Sequence, residues 1–237
     1  MSSISIIGTG NMARAIGARA LAGGNTVEIM GRDGAKAADL AETLGAEARA
    51  GAGAGSTGRV GSTSGAGSTG VNAVVTTGRW GATPAGDIVI VALLHDAVVP
   101  AVSQYGDALA GKVVVDISNP FNPTFDGLAH REPTSVAQEA ARAAPAADVV
   151  KAFNTVFRHV LENGRPDVFM AGDSARAKAS VAAFVESLGL RPLDVGGLRM
   201  AHWLEGAGLL TVGLANHAVG HLDFALGVAE LRADAVK

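Results

Sequence analysis

Ile4-Ser5-Ile6-Ile7-Gly8-Thr9-Gly10-Asn11-Met12-Ala13 is the stretch that decides the fold of this 237-residue chain. Ile4–Ile7 is a short apolar run that reads as a buried strand. From Asn11 to Ala22 the residues Met12, Ile16 and Ala20 recur at helical spacing. Between the two lies a G-x-G-x-x-A turn. In such a turn the first glycine permits a tight bend and the second brings the backbone close to a pyrophosphate. The small alanine lets the helix pack against the strand. A phosphate seated there meets free amides at the positive end of a helix dipole. Gly8, Thr9, Gly10, Asn11 and Met12 are therefore the first candidate binding residues. The alternative is a plain tight turn between a strand and a helix.

Outward from this point, Thr26–Met30 reads as a second strand and Ala35–Leu44 as a second helix ending near Gly45. The tip of the second strand carries Gly31-Arg32-Asp33, with Lys36 one turn further on. An NAD site places a carboxylate at this tip for the ribose 2′-hydroxyl, and Glu28 lies too early in the strand to serve. Arg32 has a planar fork that brackets a 2′-phosphate, and Lys36 adds a point charge. The pattern points to NADP(H) as cofactor, with Arg32 and Lys36 holding it. Otherwise both are ordinary surface cations.

The rest of the chain keeps the same rhythm. Asp87–Leu94, Val113–Ile117, Asp148–Phe153, Asp167–Ala171 and Arg191–Val195 read as further strands. Helices are expected over Ala97–Ala108, from a cap at Thr134 or Ser135 through Ala143, and over Ser174–Leu188, where Gly189 closes the helix. Alternating strands and helices imply an α/β, Rossmann-type, doubly wound and mostly parallel sheet over residues 1–195. From Leu198 the pattern is helical and apolar on several faces. Residues 196–237 are expected to form a small C-terminal helical appendage that must be covered by the sheet edge or by a second subunit. Residues 51–72 break the rhythm. They are almost entirely Gly, Ala, Ser and Thr, too poor in apolar surface to offset their ordering entropy, and read as a flexible excursion.

Composition excludes several classes of function. The chain has no cysteine, so disulfide, thiolate-zinc and iron–sulfur chemistry are absent. Its formal charge is −3 with scattered cations, which argues against nucleic acid. The most apolar runs, Asp87–Leu94 and Gly206–Gly220, are too short or too interrupted to span a bilayer. With no basic, cleavable leader ahead of the first strand, a soluble cytoplasmic protein is expected, with a small-molecule redox substrate as partner.

Ligands of open α/β sheets sit at the carboxyl ends of the strands. There the chain offers Leu93-Leu94-His95, Ser118-Asn119-Pro120 and Phe153-Asn154-Thr155. Asn119 and Asn154 have the amides to bind a carboxamide or an acceptor ring, although Asn-Pro is also ordinary turn chemistry. Tyr105 is the lone tyrosine, and position 109 is Leu, so a Tyr-x-x-x-Lys proton donor is absent. His95 is the histidine placed at the expected mouth, and His202 stands near Trp203 and Glu205. His95 and Asn154 are the catalytic candidates. His217 and His221 have metal-ligand spacing but lack the Glu of H-E-x-x-H, so no metal is expected. A conjugated ring that accepts hydride requires less acid–base help, as in flavins and deazaflavins. Two other readings stand beside this: a reductase of an imine, enone or ketone using His95 or water, and a non-enzymatic NADP(H) sensor.

The N-terminal Gly8-Thr9-Gly10-Asn11-Met12 joins Gly31-Arg32-Asp33, Val150-Lys151-Ala152-Phe153-Asn154-Thr155, the Leu188–Gly196 string Leu-Gly-Leu-Arg-Pro-Leu-Asp-Val-Gly, and Leu204-Glu205. In these motifs the chain resembles the NADPH-dependent coenzyme F-420 (F420) reductases, or F420:NADP oxidoreductases. These are relatives of the cytoplasmic reductase domains of membrane ferric reductases. The resemblance covers nearly all of the chain except the Gly/Ser-rich excursion. It implies a Rossmann domain with a small C-terminal part, usually a homodimer, and hydride exchange between nicotinamide C4 and deazaflavin C5. It also implies that Thr9, Asn11, Met12, Arg32 and Lys36 hold NADP, while Leu93, Asn119 and Pro120 flank the nicotinamide. Where F420 enzymes tend to carry a histidine, this chain has Asn154. The ferric-reductase relatives carry Phe-Asn-Thr, as here.

Overall fold

Alternating burial along each central strand fixes a sheet covered on both faces. In β4 (Ile88–Val91), Ile88 and Ile90 join one apolar core while Val89 and Val91 join another. A computed structural model describes residues 1–54, 74–129 and 134–230. Besides β4 its strands are β1 (Ser3–Ile7), β2 (Thr26–Gly31), β3 (Val75–Arg79), β5 (Val113–Asp116), β6 (Asp148–Lys151), β7 (Asp167–Gly172) and β8 (Arg191–Asp194). They lie in the order β3-β2-β1-β4-β5-β6-β7-β8. Every neighbouring pair is parallel except β6–β7, which is antiparallel. The result is the Rossmann-type doubly wound sheet the sequence implies, with the strand order reversing between β1 and β4.

One face is covered by α1 (Asn11–Ala22), α2 (Gly34–Ala54), α5 (Arg158–Asn163) and α6 (Ala175–Ser187), through Ile16, Leu44, Leu161 and Phe184. The other is covered by α3 (His95–Tyr105), α4 (Val136–Ala143) and the start of α7 (Ala201–Leu214), through Val98, Val102, Ala137 and Ala201. Local chemistry sets the helix starts. Ser135 Oγ accepts from the Gln138 amide at 3.2 Å and Ser174 Oγ from the Ala177 amide at 3.3 Å, capping α4 and α6.

Several boundaries differ from the sequence reading. The α2 helix does not stop near Gly45 but runs to Ala54, so the first residues of the 51–72 segment are helical. Residues 55–73 lie outside the described residues. The strand expected over Asp87–Leu94 pairs only as far as Val91, because α3 already begins at His95. The six-residue α5, RHVLEN, has too little amphipathic pattern to be read from sequence. Among the described residues the appendage is helical only through a π-helical turn at Ala215–Val219, which ends at left-handed Gly220 (φ 77°). Residues 221–230 are irregular and return to the sheet edge. There the Val228 amide donates to Asp167 Oδ2 (2.8 Å), and Arg191 donates to the Val228 carbonyl (2.6 Å).

Candidate active site

At the strand-order reversal the chain leaves β1 and β4 in opposite directions, and a crevice opens there. It holds a cavity of about 620 Å³, lined by Thr9 and Gly10 after β1, Arg32 after β2, Trp80 after β3, Leu93 and Leu94 after β4, and one stripe of α3. Gly8 makes the turn at φ 135°, where a β-carbon would stand 2.3 Å from the Ala92 carbonyl oxygen. Its amide donates to the Met30 carbonyl at 2.8 Å, tying the turn to β2. Gly10 is the N-cap of α1, with extended backbone (φ −84°, ψ −177°) and no side-chain cap. A methyl added to Gly10 would meet nothing within 4 Å. The first-turn amides of α1 therefore face open space beside an N-terminus with no acidic side chain, which suits an anion.

The sequence-predicted residues divide around this cavity. Thr9, Gly10, Arg32 and Leu93 line it. Asn11 is exposed at the helix start, and Met12 packs against the core beneath. Lys36 is exposed and lies 3.8 Å from Asp33, outside the cavity lining. His95 is half-buried at the first position of α3, next to the lining residue Asp96. The carboxylate of Asp33 has a local role. It accepts from the Ala35 and Lys36 amides (3.1 and 3.2 Å) and so caps α2. Glu28 is held inside the sheet, accepting from Ser5 Oγ (2.5 Å) and the Ala85 amide (2.8 Å).

Asn119, Pro120 and Asn154 gather at the carboxyl ends of β5 and β6, outside the lining of this cavity. The two asparagines bond each other. Asn119 Nδ2 donates to the Asn154 carbonyl (2.7 Å), and Asn154 Nδ2 donates to Asn119 Oδ1 (2.9 Å) and to the Leu204 carbonyl of α7 (2.7 Å). With both amide protons used, Asn154 Oδ1 is a buried acceptor with no partner, as is the nearby Ser118 Oγ. Phe153 holds the preceding position at φ 62°, a left-handed conformation unusual for a bulky residue. Its ring is fully buried against Phe184, with centroids 6.3 Å apart.

Beneath this pair lies a buried ion cluster. Lys151 Nζ donates to Asp116 Oδ2 (2.7 Å), Glu205 Oε1 (2.9 Å) and the Ser118 carbonyl (2.6 Å), and all three charged side chains are fully buried. Glu205 Oε1 also accepts from the Val136 amide (3.0 Å). Burial pushes the Glu205 carboxyl above the ordinary range, and Lys151 pulls it back in part. The cluster fastens α7 to the ends of β5 and β6 and to the start of α4. No group of His, Asp and Glu among the described residues could hold a metal ion.

Sequence reasoning missed Trp80, Gln104 and the pairing of Lys151 with Glu205. A faint signal for Trp80 was its place two strands from the phosphate turn, but no pattern marked β3. For Lys151 the signal was a charged residue inside an otherwise apolar strand, which requires a buried partner.

Comparison with known proteins joins this geometry to a family. The family model for coenzyme F420-dependent NADP oxidoreductases matches residues 3–120. Metalloreductase STEAP3 of Rattus norvegicus is 34% identical over 128 residues, covering 52% of this chain and 25% of that protein. The F420-dependent NADP reductase of Methanocaldococcus jannaschii is 29% identical over 142 residues, covering 56% of this chain and 64% of that protein. The matched segment thus spans less than two thirds of either curated relative. A crystal structure from Arthrobacter sp. FB24, described as a candidate F420-dependent NADP reductase, superposes with a TM-score of 0.75 at 25% identity. It covers 97% of this chain and 100% of that one.

Proposed function

We propose that this chain, whose residues 3–120 match the family model for coenzyme F420-dependent NADP oxidoreductases, belongs to that family and binds NADP(H) in the β1–β4 crevice. We propose further that it passes a hydride between NADP(H) and a deazaflavin or flavin ring. The observation that carries the reading is the cavity that gathers Thr9 and Gly10 from the β1–α1 turn and Arg32 from the end of β2. The residues present fit such a cofactor. The open first-turn amides of α1 suit its diphosphate, and the Arg32 guanidinium suits a 2′-phosphate.

When bound, the nicotinamide supplies the hydride at its C4 carbon. The protein's part is to hold and orient the two rings. The ends of β4, β5 and β6, with Leu93, Asn119, Pro120 and Asn154, form the floor on which they would lie. The unpartnered Asn154 Oδ1 is a buried acceptor of the kind that suits an N–H of a carboxamide or pyrimidine ring. We favour a ring acceptor over an imine or ketone, because a conjugated ring takes hydride without a positioned acid, whereas a carbonyl or imine needs a donor such as His95, half-buried at the start of α3.

The test is NADPH oxidation followed by stopped flow against F420, FMN, FAD, riboflavin, a ferric chelate, and a set of imines and ketones. Turnover with F420 or a flavin and none with carbonyls or imines is the expected result. Turnover confined to imines or ketones would replace the acceptor assignment. Tight NADPH binding without oxidation by any acceptor would leave a sensor in its place.

The α7 face that carries Trp203 and Leu210 is exposed on the single chain. We assign it to a second copy of the chain, in keeping with the homodimer the resemblance implies. Among the described residues, no helix is long and apolar enough to cross a membrane.

A further inference from the structure

The β2–β3 register pairs Gly31 with Arg79, so one step further along the ladder Arg32 stands beside Trp80. The Arg32 guanidinium carbon lies over the Trp80 ring, 5.8 Å from its centroid. Two contacts hold that ring. Its Nε1 donates to Gln104 Oε1 of α3 at 3.0 Å, and its edge meets the buried Tyr105 ring at a centroid distance of 5.5 Å and 70°. Arg32, Trp80 and Gln104 all line the crevice cavity.

A guanidinium resting on the face of an indole spends none of its N–H groups, because the attraction is to the ring quadrupole. All five donors stay in the guanidinium plane, free to fork onto a phosphate. A long side chain exposed at a strand tip would otherwise lose rotamer freedom on binding, and a fixed aromatic shelf removes part of that loss in advance. The Asp33 carboxylate beside it is turned toward α2, its Oδ1 capping the helix and its Oδ2 3.8 Å from Lys36.

We infer that Trp80, anchored by Gln104 and Tyr105, is a specificity-determining residue. It positions the Arg32 guanidinium for the 2′-phosphate of NADP(H) and so sets the preference for NADPH over NADH. The inference rests on the NADP reading above and names a residue outside the phosphate-binding turn. Trp80 acts through Arg32, as a positioning residue.

The experiment measures dissociation constants of NADPH and NADH, and of 2′,5′-ADP and 5′-ADP, for the full chain and for Trp80→Leu, Gln104→Ala, Arg32→Ala and the Trp80→Leu/Arg32→Ala double variant. Trp80→Phe is included as a rescue that keeps an aromatic face. Trp80→Leu is expected to lower the preference for the 2′-phosphorylated ligands by roughly 3- to 30-fold while NADH binding changes little. Trp80→Phe recovers much of the preference, Gln104→Ala loses a smaller part, and the double variant is no less selective than Arg32→Ala alone. In a Trp203→Phe background, 2′,5′-ADP changes the emission of the remaining tryptophan and 5′-ADP does so only weakly. If Trp80→Leu keeps the full preference, or weakens NADPH and NADH equally, Trp80 has no part in selection. If the unmodified chain itself fails to distinguish NADPH from NADH, the NADP reading falls, and this inference falls with it for that separate reason.

Discussion

At Gly10 the sequence motif and the empty space around it make a prediction that separates binding from folding. The backbone there is one alanine adopts readily, and an added methyl meets no protein atom within 4 Å. Gly10→Ala should cost less than about 1 kcal/mol of stability yet weaken NADPH by roughly tenfold or more, because the methyl occupies the path of the diphosphate. Calorimetric unfolding and a binding titration on the same sample read the two effects. An alanine variant that binds NADPH as tightly as the unmodified chain would remove the diphosphate from this turn. Gly8 behaves in the opposite way. A β-carbon there collides with the Ala92 backbone, so Gly8→Ala is a folding variant and reports nothing on binding. Arg32→Ala should weaken NADPH, but not NADH, by roughly 10- to 150-fold, the equivalent of about 1.5–3 kcal/mol for a charge-assisted phosphate contact. Equal losses for the two cofactors would reject the 2′-phosphate assignment. The turn at Gly8 and Gly10 and the place of Arg32 at the end of β2 were legible because each depends on local backbone chemistry. Trp80 was not, since its contact with Arg32 exists only through the β2–β3 register.

Two ties decide where the C-terminal elements sit, and each responds to a different perturbation. Lys151 on β6 neutralises two carboxylates from β5 and α7, all fully buried. Lys151→Met leaves those carboxylates facing each other without a cation and should destabilise the fold by roughly 3–5 kcal/mol, read as a fall in the urea midpoint. Glu205→Gln keeps an oxygen for the Val136 amide and should cost clearly less. If the two variants cost the same, the cluster is not held by its cation. At the outer edge, Arg191 grips Asp167 with two donors (2.6 and 2.5 Å) and holds that carboxyl below the ordinary carboxylate range, with help from the Val228 amide. A depressed carboxyl stabilises the fold above its unfolded pKa and loses that contribution as the pH falls through its folded value. The stability gap between the unmodified chain and Asp167→Asn should therefore be full near neutral pH and close below the ordinary carboxylate range. A gap that stays constant into acid would show that the Asp167 charge contributes nothing. The sequence displayed the charged residue in β6 and the acid in α7, but the pairing links positions 54 residues apart.

For the molecule as a whole, the apolar helix that follows the sheet is covered on one side only. Leu204, Gly208 and Thr211 face inward, with Gly208 leaving room for the Asn119 side chain, while Trp203 is 64% and Leu210 57% exposed. Sedimentation should find a dimer, and Trp203→Ser combined with Leu210→Ser should shift it toward monomer without loss of helical signal. A chain that sediments as a monomer at every concentration would leave that face without the partner assigned to it. The sequence by itself determined the sheet, because runs such as Ile88–Val91 and Val113–Asp116 are too apolar for anything but strands buried on both faces. It also determined the glycine turn between β1 and α1, because glycine spacing between a strand and a helix is a local constraint. The tertiary structure alone decided the antiparallel turn of β7 against β6, the left-handed backbone at Phe153, the Lys151–Glu205 pairing and the Trp80 shelf under Arg32. Each of these depends on the position of a neighbour distant in the chain, and periodicity within a single segment carries no record of where such a neighbour will lie.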